Sequence, residues 1–238
     1  WIASGSGGSI GLGFSIPSNN VKTAIDQFIE QGGIEYGWLG VSISEVSETL
    51  MPGLAFDLEV EDEAGALVVN IFLDSPAEKG GLLPGDYITG VGETDIQGAN
   101  QLIRIIGGLP PGAEREIAVI RYGDEMTVDV TFEERESEEA IQQNRNLWPG
   151  MTVVPISRNL RSQLDIGPGI SGVVVGNVVD GSMTAMSGFQ AGDVITSINN
   201  KAVSTVMDFY RELNKAGESQ ISMKVNRAGR ELTLTFSK

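Results

Sequence analysis

The sequence predicts an α+β, mostly β protein built from two copies of one small domain. Three observations carry this expectation. The run Gly85-Asp86-Tyr87-Ile88-Thr89 returns as Gly192-Asp193-Val194-Ile195-Thr196. Its surroundings return with it: the stretch from Gly65 to Ile71 answers to Gly172 to Val178, and Ile117 to Gly123 answers to Met223 to Gly229, with one residue lost between copies. Short apolar runs punctuated by Gly, Pro and Asp fill most of the chain, which is the pattern of short strands joined by turns. A period near a hundred residues is too long for a solenoid unit and suits two complete domains. At 238 residues, 41% of them hydrophobic, the chain has material for two cores.

Taken in order, the opening is rich in Gly and Ser and becomes β-like from Ser9 to Ile16, where apolar residues alternate. Ser18 is an N-cap candidate, and Val21, Ala24, Ile25, Phe28 and Ile29 share one helical face before Gly32-Gly33 stops the helix. In the first copy, strands are expected near Gly40–Ser44, Ala66–Ile71, Tyr87–Val91, Glu116–Arg121 and Thr127–Phe132, with helices at Ser75–Gly80 and Ala99–Ile106. The second copy repeats this with strands near Thr152–Ile156, Gly172–Val178, Val194–Ile198, Gln220–Asn226 and Glu231–Phe236 and a helix over Val206–Lys215. Glu133–Leu147, charged and rich in Gln and Asn, reads as the linker.

The net charge of −16 argues against nucleic acid and anionic membrane, both of which reward clustered Lys and Arg. The acidic stretches Glu45–Glu63 and Glu133–Glu139 read as solvated loops. With neither Cys nor His there is no disulfide framework and no ordinary transition-metal site, so no metal and no cofactor is expected. No apolar run is long enough to span a membrane. The chain opens at Trp1 without a basic-then-apolar leader, which is uninformative for an internal fragment.

Candidate chemistry is sparse. Ser6 sits among Gly5, Gly7 and Gly8 in the manner of a serine nucleophile, but a hydroxyl needs an adjacent base and the chain has no His. A Ser6–Lys22 pair is the remaining hydrolase reading, set against a plain surface loop. The same glycines fit neither dinucleotide- nor phosphate-binding spacing. Asp86 and Asp193 each follow a Gly at a strand start, where an Asx-type turn is the expected role rather than catalysis. No catalytic residue is therefore assigned. What remains is a binding geometry. The loop Trp38-Leu39-Gly40-Val41 leading into Ser42-Ile43 offers backbone N–H groups to a carboxylate and a strand edge to an extended peptide. Leu102, Ile103 and Ile106 on the following helix have the spacing to wall such a groove, or to serve as ordinary core; both readings stand.

These residues resemble a known family. Trp38-Leu39-Gly40-Val41, followed by the stretch from Ser75-Pro76-Ala77 through Gly80-Gly81 to Gly85-Asp86-Tyr87-Ile88, is similar to the PDZ domains of HtrA/DegP periplasmic serine proteases. Gly7 to Val21 is similar to the end of the trypsin-like protease domain in the same family. The resemblance implies a strand-and-helix remnant of a trypsin-like double β-barrel over residues 1–35, a first circularly permuted PDZ domain over 36–133, an acidic linker over 134–147 and a second PDZ domain over 148–238. The catalytic triad would then precede Trp1, and the helix from Ser18 would pack on the first PDZ domain or on a neighbouring molecule.

The implied function is peptide binding in the regulatory part of an envelope protease of bacteria, located in the periplasm. Its partners would be unfolded or misfolded proteins with exposed hydrophobic C-termini, the protease domain of the parent chain, and further copies in a trimer-based oligomer. In the second copy Gly150, Met151, Thr152 and Val153 would form the loop and strand of a groove, and Val206, Phe209, Tyr210 and Leu213 its helical wall. Pro149 removes one backbone donor there, so the second domain is expected to serve assembly or regulation. A purely structural oligomerisation module is the alternative reading.

Overall fold

The computed structural model describes residues 25, 28, 29, 36–134, 146–215 and 220–238. The expected strand at Ser9–Ile16, Ser6 and most of the helix from Ser18 lie outside them. Ile25, Phe28 and Ile29 are helical, as their spacing predicts, but all three are more than half exposed rather than packed on the first copy.

The first copy contains β1 (Gly37–Trp38), β2 (Val41–Ser44), α1 (Leu54–Leu58), β3 (Ala66–Phe72), α2 (Pro76–Gly80), β4 (Tyr87–Val91), β5 (Thr94–Asp95), α3 (Ala99–Gly107), β6 (Glu114–Arg121), β7 (Asp124–Thr131) and β8 (Glu133–Glu134). The second contains β9 (Leu147–Trp148), β10 (Met151–Pro155), α4 (Arg158–Gln163), β11 (Val173–Val178), α5 (Met183–Met186), β12 (Val194–Ile198), β13 (Lys201–Ala202), α6 (Val206–Lys215), β14 (Ile221–Arg227) and β15 (Arg230–Phe236). The principal strands and α2, α3 and α6 lie within a few residues of their expected places.

Among the described residues the two main sheets have one plan. The first runs β2-β3-β4-β6-β7 and the second β10-β11-β12-β14-β15, all antiparallel, with β5 and β13 as short hairpin partners. β2 and β10 therefore each form one edge of their sheet, with β7 and β15 at the other. β3 is buried on both faces along most of its length, as its continuous apolar run requires, whereas β11 is buried over its first three residues, Val173 to Val175, and exposed at Gly176 and Asn177.

A buried ion pair recurs in the same place. Asp86, fully buried, takes Arg121 through both carboxylate oxygens at 2.6 and 2.7 Å and accepts the Leu83 N–H. Asp193 does the same with Arg227 and the Gln190 N–H. The aspartates thus close turns, as expected, but the arginines add a bidentate anchor between turn and hairpin. Desolvation pushes the Asp86 carboxyl above its ordinary range against the opposing pull of Arg121.

Two further expectations change. The acidic stretch Glu45–Glu63 is not simply a loop, because it contains α1. That five-residue helix is too short to stand on propensity and is held by burying Leu54 and Leu58, with the Glu48 carboxylate taking the Gly53 N–H. The linker is also tied at both ends to the first copy. β8 pairs with β1, and β9 pairs with β3 through Ile71–Trp148 and Phe72–Leu147. Trp148, expected to begin the second domain, thus extends the first sheet while its ring packs 5.5 Å from Phe236 of the second.

Candidate peptide-binding site

The loop before β2 is built to be concave. Gly40 has φ of 80°, a left-handed conformation that favours glycine, and a Cβ there would fall 2.2 Å from that of Ser75. The loop's carbonyls are used internally: Leu39 C=O accepts the Ala77 N–H and Gly40 C=O accepts the Phe72 N–H, both at 2.8 Å. Ser75, the N-cap of α2, holds the loop from below. The Leu39 and Gly40 N–H groups donate to no described residue. The Phe72-to-Gly40 bond also makes Val41 opposite Ile71 a non-hydrogen-bonded pair, so the Val41 N–H and C=O face the open edge of the sheet.

Opposite this edge stands α3, and the gap between the two is fixed at both ends. Gly37 rests its backbone on the carbonyls of Ile106 and Leu109, so closely that a Cβ would come within 2.6 Å of each. At the other end the Glu45 carboxylate, just past β2, accepts the Ala99 N–H at 2.8 Å and caps α3. Four residues of β2 span roughly 13 Å, room for three or four residues of an extended chain. The three candidate wall residues divide. Leu102 is fully buried and belongs to the core, which corrects its assignment to the groove; Ile106 is nearly buried; Ile103 is 57% exposed. The even split between wall and core thus resolves differently at each position, because the helix turns Leu102 inward and Ile103 outward. Ser42 and Ile43 are half-buried on the edge strand, and Trp38 packs its ring 5.8 Å from Phe72.

The second copy has the same loop in different company. Gly150 has φ of 79° and would clash with Ser182 as Gly40 would with Ser75. Its carbonyl accepts the Val179 N–H at 2.9 Å, and the Pro149 C=O accepts the Thr184 hydroxyl at 3.0 Å. Its amides, however, are occupied. The Gly150 and Met151 N–H groups both donate to the side-chain oxygen of Asn70, on β3 of the first copy, at 2.8 and 3.1 Å.

The proposed helical wall of that second groove is covered too. Val206, Phe209, Tyr210 and Leu213 are all 1% exposed or less, and Met151 and Val153 are buried, while Thr152 is half-buried. Several of the atoms covering α6 come from the first copy. Asp57 accepts the Val206 N–H at 2.9 Å, Asn214 donates to the Pro84 carbonyl and the Tyr122 hydroxyl, and Gly85 lies against the Tyr210 Cβ so tightly that a side chain would meet it at 2.5 Å. The expectation of a second accessible groove is thereby corrected. The residues are in groove position, but the first copy lies over them. Nothing in the sequence of the second copy alone signals this, since the occluding atoms belong to Asn70, Asp57 and Tyr122.

The contact carries its own electrostatics. Burial pushes the Asp57 carboxyl up, against the Val206 N–H and together with repulsion from Asp208. Burial pushes Glu78 up as well, but its bond to Lys238 and to the Asp74 N–H outweighs this and leaves it lowered. The Tyr210 hydroxyl is fully buried without a described partner, and desolvation raises it strongly.

Comparison with known proteins bears on the family and the fold. A family described as the PDZ domain matches residues 37–132 and 141–237. A protein of Ectopseudomonas mendocina (strain ymp) named probable periplasmic serine endoprotease DegP-like is 35% identical over 242 residues, covering 97% of this chain and 49% of its own. One of the same name from Brucella suis biovar 1 (strain 1330) is 33% identical over 229 residues, covering 92% of this chain and 42% of its own. The chain spans about half the length of the curated relatives it matches. Among solved structures, the HtrA-type protease AlgW with a tripeptide is similar at a TM-score of 0.50 and 33% identity, over 57% of this chain and 44% of that one. AlgW with a decapeptide gives a TM-score of 0.50 and 31% identity over 58% and 41%.

Proposed function

Since this chain belongs to the PDZ-domain family, in two tandem copies, we propose that it is the peptide-recruiting regulatory region of an HtrA-type serine endopeptidase of the periplasm. The first copy takes the exposed hydrophobic C-terminus, or an extended segment, of an unfolded protein. The ligand adds a strand to β2, its carboxylate sits on the N–H groups of the Trp38–Val41 loop, and an apolar side chain lies against Ile103. The observation that carries this reading is the edge of β2, open among the described residues, beside loop amides that donate to none of them.

The relatives' names and the peptides named in the AlgW structures support the same reading. A groove closing on three or four residues gives micromolar affinity, about −8 kcal/mol. In the parent protein, such capture would deliver substrate to the protease domain, whose triad this region, lacking His, does not supply. The second copy serves assembly or regulation, a role supported by its burial against the first, and a trimer-based oligomer of the parent fits that division of labour.

Fluorescence titration with a labelled apolar-tailed peptide tests the proposal. Amidating the peptide's C-terminus is expected to weaken binding at least tenfold, about 1.4 kcal/mol, and Ile103→Asp to weaken it comparably while leaving the fold intact. Equal affinity for the free acid and the amide would overturn carboxylate capture and favour a purely structural module. Stoichiometric labelling of Ser6 by a fluorophosphonate would instead revive the hydrolase reading.

A further inference from the structure

In the second copy, a side chain of the same molecule stands where a ligand would. The loop around Gly150 repeats the loop around Gly40 in backbone conformation, in its serine support and in the way its carbonyl is held by the neighbouring strand. A loop so built presents convergent N–H groups, and in this copy both of them, Gly150 and Met151, close on one oxygen, Asn70 Oδ1. That oxygen occupies the position of an acceptor ligand.

The rest of the Asn70 carboxamide fits poorly. Asn70 is fully buried, yet its Nδ2 has no hydrogen-bond partner among the described residues. An amide brings two N–H donors that must be satisfied when buried, whereas a carboxylate brings acceptors alone and forms the stronger, charge-assisted bonds with backbone N–H groups. The cradle thus offers donors for an oxygen and nothing for an NH2 group. It is matched to a carboxylate and is filled by a neutral substitute from the first copy.

We infer that the second copy holds a latent carboxylate-binding site that the first copy keeps filled with the Asn70 side chain, so that docking of the two copies and capture of a peptide C-terminus by the second exclude each other. The occupant it would take when the copies part is a chain end with a free carboxylate, laid along the edge of β10 that the first copy now covers. Displacement is coupled to the rest of the interface, because β3, which carries Asn70, also pairs with β9, and α6 is bonded to Asp57, Pro84 and Tyr122. A carboxylate ligand of the second copy therefore competes with the whole docked arrangement and favours the parted one by linkage. The inference deepens the peptide-binding reading and rests on it for the class of ligand, but it concerns different atoms and fails separately.

The test uses the whole chain, isotope-labelled for amide resonances, with an apolar-tailed peptide as the free acid and as its C-terminal amide. Leu39, Gly40 and Val41 report the first site, and Gly150 and Met151 report the second. In the wild type, the free acid is expected to shift the first set at concentrations that leave the second unmoved. In Asn70→Ala, Gly150 and Met151 are expected to shift with the free acid and not with the amide, with an affinity at least tenfold above the wild type's second site and a calorimetric stoichiometry rising from one to two. Asn70→Asp, which keeps the acceptor and removes the orphan NH2, is expected to remain closed at neutral pH. Should Asn70→Ala fail to fold, Asn214→Ala loosens the docking from α6 without touching the cradle, and the same shift is expected. A folded Asn70→Ala whose Gly150 and Met151 amides ignore the free acid overturns the inference, as does a wild type whose two sites fill with equal affinity. Silence of Leu39 to Val41 in every protein refutes only the role proposed for the first copy.

Discussion

The two loops at Gly40 and Gly150 share backbone conformation, supporting serine and strand register, yet the amides of one donate to no described residue and those of the other grip Asn70. The difference does not arise inside either domain. It arises from how the first lies on the second, through β3, α1 and the β6–β7 hairpin against β10 and α6. Such a loop is thus local in construction, while the availability of its amides is set by the whole arrangement.

The paired anchors give the strongest way to probe that comparison. Arg121→Ala leaves the buried Asp86 carboxylate unpaired and should destabilise by about 3–5 kcal/mol, read by urea unfolding. Arg227→Ala should cost less, because the Arg227 side chain is 29% exposed against 16% for Arg121, so solvent screens the loss. Equal losses would mean that the two anchors are energetically alike despite their exposure.

Leu102→Ala, at a fully buried position of α3, should cost about 2–5 kcal/mol, whereas Ile103→Asp one residue on should stay within about 0.5 kcal/mol in stability while losing peptide affinity. This contrast separates core from wall on a single helix, and a reversal would relocate the groove. Gly40→Ala and Gly150→Ala should each cost about 1–3 kcal/mol from left-handed strain and overpacking. The second should also raise hydrogen exchange at the Val206 amide, because it disturbs the inter-copy contact.

The smallest effects concern pH. Asp57 has its folded-state pKa raised, so the folded state takes up its proton first; Asp57 opposes docking above that pKa and the penalty fades as pH falls through it. Glu78 is lowered, so its bond to Lys238 contributes fully above the ordinary glutamate range and is lost as pH falls through the folded value. Asp57→Asn keeps an acceptor for the Val206 N–H and should stabilise docking by under about 1 kcal/mol at neutral pH, while Glu78→Gln should weaken it at neutral pH and leave it unchanged in acid. Stability curves recorded between pH 3 and 7 check both signs.

Much of the fold was legible because it depends on local rules. Alternating or continuous apolar runs marked the long strands, Ser75-Pro76 marked the start of α2, and the apolar spacing from Val206 to Leu213 marked α6. Three of the short helices were not legible. α1, α4 and α5 have four to six residues, too few for a periodicity, and exist through tertiary packing or a single cap such as Ser157 or Ser182. The first loop was readable from Trp38-Leu39-Gly40-Val41 because its concavity resides in one glycine and its neighbours. Leu102 stayed open between groove and core, and burial settles it as core, because apolar spacing places residues on a helix without saying which flank faces the sheet.

By itself, then, the chain's order of residues determined the repeat, the principal strands, the helices that wall them and the position of both loops, since each follows from backbone preference and burial within a hundred residues. Only the tertiary structure decided which loop's amides find an acceptor among the described residues. That outcome turns on Asn70 reaching Gly150 and on Trp148 joining the sheet of the first copy, contacts between distant segments whose cost and gain exist only once both domains have formed.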